Sequence, residues 1–502
     1  MGYGLPPDQT VAKKVVVTDD NWNMLYEAAP GNMTRELYER YLERLAQTEA
    51  DIIAVDMAIP DLCFYKSQVS EWWGQYPEEY PVPASWNVFH NFKSLIEAGE
   101  DPGEILVSTL HRQGRTVVAG VRTNDCYGHP QLRTRWEKQH PQWLIPDSSF
   151  FDYAIAEVRE HRLAIVQEIL QNYDVDGIQL DFTRNIRVLS SPDKADLLTD
   201  FVRRVRDLVN EAAARKGKKM LLGAILAWEM KVLDDHGIDY EAWIKEGLLD
   251  YVIASERSFA DGNVRVRPWT KLVEGTQCEV YPSLHGDVGD ETVGSGTDRV
   301  PARAYLTMPQ IRAAAVNFYD QGADGIAFYN FYQSYHDTKY PLLKQLRDPA
   351  ALGSYDRHYF SCRLTRFGKG GWLRIRLEPQ ADPHERKTFR FYVGEKLSKD
   401  TATLAFKARG MAPDDELVVD INGTEIPAEN WTLPDPLELI QIPTGIETRM
   451  SGSTFFYWRT PISTPPLRVG YNKISFRRTK TSFLSQKITI AEIEILVKGD
   501  LP

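Results

Sequence analysis

The stretch YDVDGIQLDFTRN, residues Tyr173–Asn185, decides the fold because it reads as a short buried strand that follows a long amphipathic helix. Along it the apolar Ile178 and Leu180 alternate with polar residues. Gln179 and Asp181 therefore share one face of the strand, and the apolar pair packs on the other. A strand flanked by helices is typical of a parallel α/β array. In a closed parallel barrel, reacting groups lie at the carboxyl ends of the strands, where Asp181 stands.

A second copy of this pattern occurs later in the chain. GADGIAFYNF, residues 322–331, repeats the Asp-Gly-Ile core and has Tyr329 where the first copy has Asp181. The spacing of the two copies fits four strand–helix units of a (β/α)8 barrel, so they predict its fourth and eighth strands. Arg184 begins the loop after the first copy, and we expect it to pair with the Asp181 carboxylate or with an anionic substrate group. A purely structural ion pair at this strand end remains an alternative.

The other six strands are predicted from apolar runs that alternate with helical segments. They are expected at 14–18, 51–58, 115–122, 220–226, 249–255 and 277–284. Thr34 and Ser191 are predicted helix N-caps, because each precedes a helical pattern with an acidic residue in its first turn. Eight strands in one direction predict a TIM barrel that occupies residues 1–350.

Helical periodicity disappears from residue 354 onwards. Short alternating runs such as LRIRL, FRFYV, ELVVDI and KISFRR take its place, separated by Gly-rich and Asn-Gly turns. Such a pattern is typical of an antiparallel β-sandwich. We therefore expect an accessory β-sandwich domain over residues 354–502, which either buttresses the barrel or binds sugar.

Composition excludes several classes of partner. The 502 residues include 59 basic and 70 acidic side chains, for a net charge of -11, and phosphate binding would need a basic footprint. We therefore expect neither nucleic acid nor an anionic membrane as partner. The four cysteines, Cys63, Cys126, Cys278 and Cys362, have neither redox nor zinc spacing and are either free thiols or one or two disulfides.

The amino-terminal residues MGYGLPPDQTVAKK contain no apolar core of a signal peptide, and no segment of the sequence is long and apolar enough to span a bilayer. We expect a soluble protein. A secreted or periplasmic location with the leader removed is one expectation, and a cytoplasmic location is the other.

The residues at the carboxyl ends of the predicted strands are rich in carboxylates, with basic and aromatic side chains beside them. They are Asp20, Trp22, Asp56, Arg122, Asn124, Asp125, Asp181, Arg184, Trp228, Glu229, Glu256, His285, Tyr329 and Asn330. A Gly-rich phosphate loop and a Ser-His-Asp signature are both missing from this set. Hydrolysis of a glycosidic bond requires two opposed carboxyl groups, one of them a proton donor. The set therefore favours a glycoside hydrolase that acts on a polysaccharide or oligosaccharide.

Roles within this set can be assigned from position. Asp181 is the expected nucleophile or base, because it ends the most strongly specified strand. Its partner is expected to be Glu256, two strands away, or else Glu229, one strand away. Asp125 is the third candidate, although it could serve only to orient Arg122. The other residues are expected to bind sugar hydroxyls and to stack on sugar rings, and we expect no cofactor.

Two other classes of function stay open. Asp19, Asp20, Asp56 and His285 could converge on a divalent ion, as in a metal-dependent polysaccharide lyase or hydrolase, but no metal-binding spacing supports this and we expect no metal site. A non-catalytic carbohydrate-binding barrel is the other alternative.

Three arginines are expected near strand ends, namely Arg122, Arg184 and Arg257. They indicate either an anionic glycan, such as a uronic or sulfated sugar, or neutralisation of the nearby carboxylates. We favour neutralisation.

The segments DYAIAEVREHRLAIVQEILQNYDVDGIQLDFTRN, VRTNDCYG and GIDYEAWIKEGLLDYVI resemble the glycosyl hydrolase-like family 10, TIM-barrel proteins of polysaccharide-degrading bacteria. The resemblance covers roughly residues 14–346 and implies a role in carbohydrate metabolism, with a β-sandwich after the barrel. Relatives often read GIELDF in the fourth strand, which supports Asp181, whereas Gln179 replaces their acidic residue. The third-strand pattern of the family corresponds to Arg122, Asn124 and Asp125.

Overall fold

The computed structural model describes most of the chain. The described residues are 12–22, 28–76, 78, 86–125, 133–256, 260–286, 288, 292–293, 300–301, 305–331, 337–361, 364–365, 371–372, 375–377, 385–397, 402–409, 411, 414–431, 455–462, 466–481 and 487–500.

Eight parallel strands form a closed barrel, in which the first strand pairs with both the second and the eighth. The strands are β1 (Lys14–Asp19), β2 (Ile52–Ile59), β3 (Thr116–Arg122), β4 (Gly177–Asp181), β5 (Leu221–Ala227), β6 (Tyr251–Ser255), β7 (Glu279–His285) and β8 (Gly325–Tyr329). The predicted TIM barrel is confirmed, and the two Asp-Gly-Ile repeats are its fourth and eighth strands. Two short strands, Leu62–Cys63 and Glu71–Trp72, extend the sheet beside β2.

Helices connect the barrel strands. They are α1 (Arg35–Ala46), α2 (Trp86–Glu97), α3 (Pro102–Arg112), α4 (Arg135–Gln139), α5 (Ala156–Asn172), α6 (Ala195–Lys216), α7 (Met230–Asp234), α8 (Tyr240–Lys245), α9 (Arg267–Leu272) and α10 (Met308–Asp320), with 3-10 turns at Pro141–Trp143, Pro192–Lys194, Asp337–Arg347, Ala351–Ser354 and Ala428–Asn430. Thr34 caps α1 by accepting the Leu37 N–H, as predicted. Ser191 caps the 3-10 turn that precedes α6.

The amino-terminal end of the barrel is held by four aspartates, one before each even-numbered strand. Each carboxylate accepts a backbone N–H of the preceding barrel strand. The pairs are Asp51 with Val15, Asp176 with Val117, Asp250 with Leu222 and Asp324 with Val280, each with 2.8 Å between oxygen and nitrogen. Glycine follows two of these aspartates because a Cβ at Gly177 or Gly325 would lie 2.2 or 2.1 Å from a carbonyl oxygen of the neighbouring strand.

Replacing Asp324 with Ala is expected to lower the free energy of unfolding by about 1–3 kcal/mol, because the Val280 N–H would lose its acceptor. Asp324→Asn keeps an acceptor oxygen and is the matched control. Urea unfolding of both variants measures the difference. Equal stability of the Ala and Asn variants would show that this hydrogen bond contributes nothing.

After the barrel, the described residues form two larger antiparallel sheets and a two-stranded one, Leu364–Thr365 with Gly371–Trp372. The strands of the two larger sheets are β9 (Arg357–Tyr359), β10 (Ile375–Leu377), β11 (Lys387–Val393), β12 (Ala402–Arg409), β13 (Glu416–Ile421), β14 (Thr424–Glu425), β15 (Phe455–Ile462), β16 (Gly470–Lys480) and β17 (Ile488–Val497). One sheet has the order β9-β17-β12-β15 with β10 also on β17, and the other has the order β11-β16-β13-β14. A second apolar core includes Leu404, Phe406, Ile474 and Phe476. The predicted β-sandwich is confirmed.

The state of two cysteines and the character of the helices can also be described. Cys63 and Cys278 are free and buried, while Cys126 and Cys362 lie outside the described residues. The helices that the structure describes are all too short or too polar to cross a bilayer.

Candidate active site at the carboxyl ends of the strands

A fully buried arginine organises the strand ends of β1, β2 and β3. Arg122 is 0% exposed. Its Nε lies 2.7 Å from Asp56 Oδ2, its Nη1 2.7 Å from Asp125 Oδ2 and its Nη2 3.1 Å from Asp20 Oδ2. Gly120 makes room for this arrangement, since a Cβ there would lie 2.3 Å from Asp56 Oδ1. Arg122 therefore neutralises carboxylates, the role that the sequence favoured for it.

One guanidinium is shared among more carboxylates than its charge can balance. Burial raises the pKa of Asp56 to about 8; the Arg122 charge opposes this rise, and the charges of Asp181 and Asp20 add to it. Burial thus favours the protonated form of Asp56 within this cluster. Arg184 approaches the same cluster, with its Nε 3.5 Å from Asp125 Oδ2.

Asp181 is held by hydrogen-bond donors on both of its oxygens. Oδ1 accepts from the Thr183 N–H at 2.7 Å and from the Thr183 hydroxyl at 2.6 Å. Oδ2 accepts from the Tyr329 hydroxyl at 2.8 Å. The two Asp-Gly-Ile strands thus bring their terminal residues together across the barrel, and the His285 ring lies 4.9 Å from the Tyr329 ring. These hydrogen bonds hold the Asp181 carboxyl group in one orientation at the end of β4.

Gln179 lies inside the barrel on the same face of β4 as Asp181. Its Nε2 donates to the Thr18 hydroxyl at 3.1 Å, and its Oε1 accepts from the Tyr251 hydroxyl at 3.0 Å. Gly223 accommodates the Tyr251 ring, because a Cβ there would lie 2.1 Å from it. Gln179 therefore joins β1, β4 and β6 as a brace.

A second pair of carboxylates lies at the ends of β5 and β6. The register that places Ala227 beside Ser255 brings Glu229 and Glu256 near each other. Glu256 is 2% exposed and accepts from Trp228 Nε1 at 3.0 Å. Glu229 is half-buried, and its pKa is raised by burial and then by the Glu256 charge, against an opposing effect of Arg265.

The Trp228 backbone is fixed from both sides. Its N–H donates to the Ser255 carbonyl at 3.1 Å, and its carbonyl accepts from Trp269 Nε1 at 2.9 Å. Trp228, predicted to contact substrate, thus positions Glu256 through its indole. The substrate contact stays a prediction.

Asp20, which follows β1, forms two hydrogen bonds with Asn330, which follows β8. Asn330 Nδ2 donates to Asp20 Oδ2 at 2.9 Å, and its Oδ1 accepts the Asp20 N–H at 3.2 Å. The Trp22 N–H donates to Asp20 Oδ1 at 3.2 Å. The half-buried Trp22 ring packs edge-on against Trp73 at 4.9 Å. It is therefore fixed in position, with part of its surface open to a ligand.

Asp19, one of the candidates in the metal hypothesis, does not face the other strand-end carboxylates. Asp19 accepts from the Tyr41 hydroxyl and the Asn21 N–H, and burial together with the Asp20 charge raises its pKa to about 7. It is thus turned towards α1. In the part of the chain that the structure describes, no group of three or more His, Cys, Asp or Glu side chains is arranged to hold a metal ion.

Asn124 is 2% exposed and donates through Nδ2 to the Phe151 and Arg187 carbonyls at 3.0 and 3.1 Å. These contacts give it a role in holding two loops together. Arg257 lies outside the described residues.

Sequence reasoning missed Thr183 and Gly120, and it predicted Trp228 as a substrate contact but missed its hydrogen bond to Glu256. Thr183 and the Trp228 indole each contact a carboxylate directly, and Gly120 provides the space for another. A signal existed for Thr183, because an Asp followed two positions later by Thr at a strand end is typical of an Asx-type turn. The indole contact depends on side-chain orientation, for which the sequence contains no signal.

No model of a known protein family and no curated protein matches the chain. Among solved structures, the endo-β-1,4-mannanase from Thermotoga petrophila is 9% identical, with a TM-score of 0.45, over 98% of this chain and 99% of that one. The α-L-fucosidase isoenzyme 2 from Paenibacillus thiaminolyticus is 13% identical, with a TM-score of 0.40, over 67% and 49% of the respective chains. The chitinase from Paenibacillus sp. str. FPU-7 is 11% identical, with a TM-score of 0.43, over 67% and 43%.

These structural neighbours are glycoside hydrolases, and the chain spans less than half the length of the fucosidase and of the chitinase. The likeness is one of fold. The strand order and the strand-end residues by themselves define a (β/α)8 barrel protein with a β-sandwich and carboxylates at the carboxyl-terminal face of the barrel.

Proposed function

We propose that the protein is a glycoside hydrolase that cleaves glycosidic bonds of a polysaccharide or oligosaccharide. The observation that carries this proposal is the contrast between two carboxyl groups at the mouth of the barrel. Asp181 is buried and accepts three hydrogen bonds from Thr183 and Tyr329, whereas Glu229 is only half-buried and has a pKa raised by burial and by the Glu256 charge. Glycosidases use one carboxylate and one carboxylic acid, set apart by their environments.

In this proposal Asp181 is the nucleophile or base, and Tyr329 and Thr183 orient it. Glu229 is the proton donor, because burial and the Glu256 charge raise its pKa and so favour its protonated form. Glu256 is 2% exposed and acts on Glu229 through its charge, which raises the pKa of Glu229. Strand position alone favoured Glu256 over Glu229 as the partner of Asp181, so this assignment reverses that ranking.

Two further points belong to the proposal. The resemblance to the glycosyl hydrolase-like family 10 supports a role in polysaccharide degradation, with Asp181 as the matching acidic residue. A secreted or periplasmic location would place the protein where extracellular polysaccharides are found.

A second candidate function is carbohydrate binding without cleavage. One observation favours it: Asp181 is 1% exposed, and both of its oxygens already have donors within the protein. In that case the half-buried Trp22 would supply the sugar contact and the carboxylates would serve only as a structural network.

The assignment of the proton donor is tested with Glu229→Gln. We expect cleavage of a natural glycan to fall by about 10²–10⁴-fold, the typical contribution of general acid catalysis. Aryl glycosides with an acidic leaving group need little protonation, so their cleavage should be largely retained. Equal loss on both kinds of substrate would contradict the assignment.

Glu256 and Arg265 allow a paired test, because their charges shift the pKa of Glu229 in opposite directions. A proton donor must be protonated, so activity falls as the pH rises through its pKa. Glu256→Gln removes a charge that raises the pKa of Glu229 and should shift this alkaline limb to lower pH. Arg265→Gln removes a charge that lowers the same pKa and should shift the limb to higher pH. Shifts in the same direction would exclude Glu229 as the group that titrates.

A further inference from the structure

A cleft with a volume of about 720 Å³ lies where the barrel meets the C-terminal sheets. Its barrel side includes α9 and the residues before it, and its other side includes Tyr392 of β11 and Tyr471 of β16. Small-molecule sites occupy roughly 300–1,000 Å³. The cleft is therefore large enough for a bound ligand.

The two tyrosines form a fixed aromatic corner. Their ring centroids are 4.9 Å apart, and the planes meet at 81°. The buried Tyr392 is held by its N–H, which donates to Asn263 Oδ1 at 2.9 Å, and by its hydroxyl, which donates to Asp320. Tyr471 is 36% exposed. Its ring is therefore partly open to the solvent and is supported on one side by the Tyr392 ring.

The barrel side of the cleft is basic. Arg265, Arg267 and Lys271 are all exposed and line it. Arg267 donates to the Asp320 carbonyl at 3.1 Å. Arg265 and Lys271 form no ion pair and no side-chain hydrogen bond with any residue that the structure describes. The cleft thus offers free cationic groups in a protein whose net charge is -11.

The basic side chains and the tyrosine ring together favour an anionic sugar as the ligand. A guanidinium matches the geometry of a carboxylate or sulfate group, and an aromatic face suits the C–H face of a sugar ring. Repulsion by the acidic remainder of the surface is screened beyond about 8 Å at physiological ionic strength. Arg265 also opposes the burial-induced rise in the pKa of both Tyr471 and Glu229, so the cleft lies within electrostatic reach of the candidate proton donor.

We propose that this cleft binds an anionic sugar unit, carboxylated or sulfated, of a glycan chain. The Arg265 and Lys271 side chains pair with the anionic group, and the Tyr471 ring stacks on the sugar. The inference rests on the proposed carbohydrate substrate, but it does not require that the protein cleave it.

Isothermal titration calorimetry on the Asp181→Asn protein tests the proposal without consuming the ligand. The probes are oligogalacturonate, whose anionic groups are all carboxylates, a carrageenan oligosaccharide, whose anionic groups are all sulfates, and a neutral mannan oligosaccharide. We expect one of the two anionic probes to bind more tightly than the neutral one, and which one binds distinguishes carboxylate from sulfate. Arg265→Gln with Lys271→Gln should weaken that binding about tenfold or more, since charge-assisted hydrogen bonds are lost.

A control double variant, Arg112→Gln with Arg203→Gln, changes the net charge equally at two exposed positions outside the cleft. It should leave the affinity unchanged, whereas Tyr471→Ala should lower it. The proposal is overturned if neither anionic probe binds, if the cleft variant binds as tightly as the parent, or if single-stranded RNA displaces the sugar at lower concentration. If binding of an anionic probe requires the cleft residues but the wild-type protein cleaves no glycan, the hydrolase proposal is contradicted and the cleft proposal is retained.

Discussion

Asp181→Asn is expected to reduce glycan cleavage by about a thousandfold or more, because the amide can act neither as a nucleophile nor as a base. The fold should be retained. The Asn oxygen can still accept from Thr183, and the Tyr329 hydroxyl can change from donor to acceptor towards the new amide nitrogen. Steady-state kinetics on a cleaved glycan, with circular dichroism of the same preparation, measure both effects.

Asp176→Asn is the matched control, since it makes the same chemical change immediately before the same strand at the opposite end of the barrel. Its oxygen can still accept the Val117 N–H, so the fold should be maintained. Activity should stay close to that of the wild type. A loss of similar size in both variants would point to general damage to β4 and would contradict a chemical role for Asp181.

Arg122→Met is expected to lower the free energy of unfolding by about 3–5 kcal/mol, because it removes the partner of buried carboxylates. Asp20, Asp56 and Asp125 would all lose their contact with the guanidinium. Arg122→Lys should cost less but still destabilise, since a single ammonium cannot reach three carboxylates in the geometry of a guanidinium. Urea unfolding at neutral pH measures both losses.

The pH dependence of this loss has a defined sign. Burial raises the folded-state pKa of Asp56 from 3.8 to about 8, so its stabilising proton is present at low pH and lost as the pH rises through about 8. Without Arg122, ionising the carboxyl groups that surround it costs more free energy. The destabilisation by Arg122→Met should therefore be larger at about pH 8 than at about pH 5, and adding Asp56→Asn should reduce it. A loss independent of pH would contradict this account of the cluster.

Much of the fold was predictable because the local signals agreed with one another. The Asp-Gly-Ile repeats mark two strands, and they also mark two of the four aspartates that bind a neighbouring strand. The other two, Asp51 and Asp250, lie at the start of predicted strands as well, but no glycine follows them, so the repeat cannot be recognised. Their common role depends on the register between strands, which a single sequence does not contain.

The candidate site was predictable as a set of residues and less so as a set of contacts. Strand ends identified Asp181 and Tyr329, and barrel closure brings them within a hydrogen bond. The contacts of Asn124 arise from loops that fold back over β3, so sequence position alone could not separate it from residues facing the mouth. Which of Glu229 and Glu256 is the better proton donor depends on how deeply each is buried. The loops determine burial at the strand ends.

The measurement that tests the central claim most directly is oligosaccharide release from neutral, uronic and sulfated polysaccharides by the wild type and by Asp181→Asn, followed by chromatography. The account predicts that the wild type releases products from at least one polysaccharide and that the variant releases none. Binding of a glycan by both proteins with release by neither would contradict it, and would make the barrel a carbohydrate-binding protein.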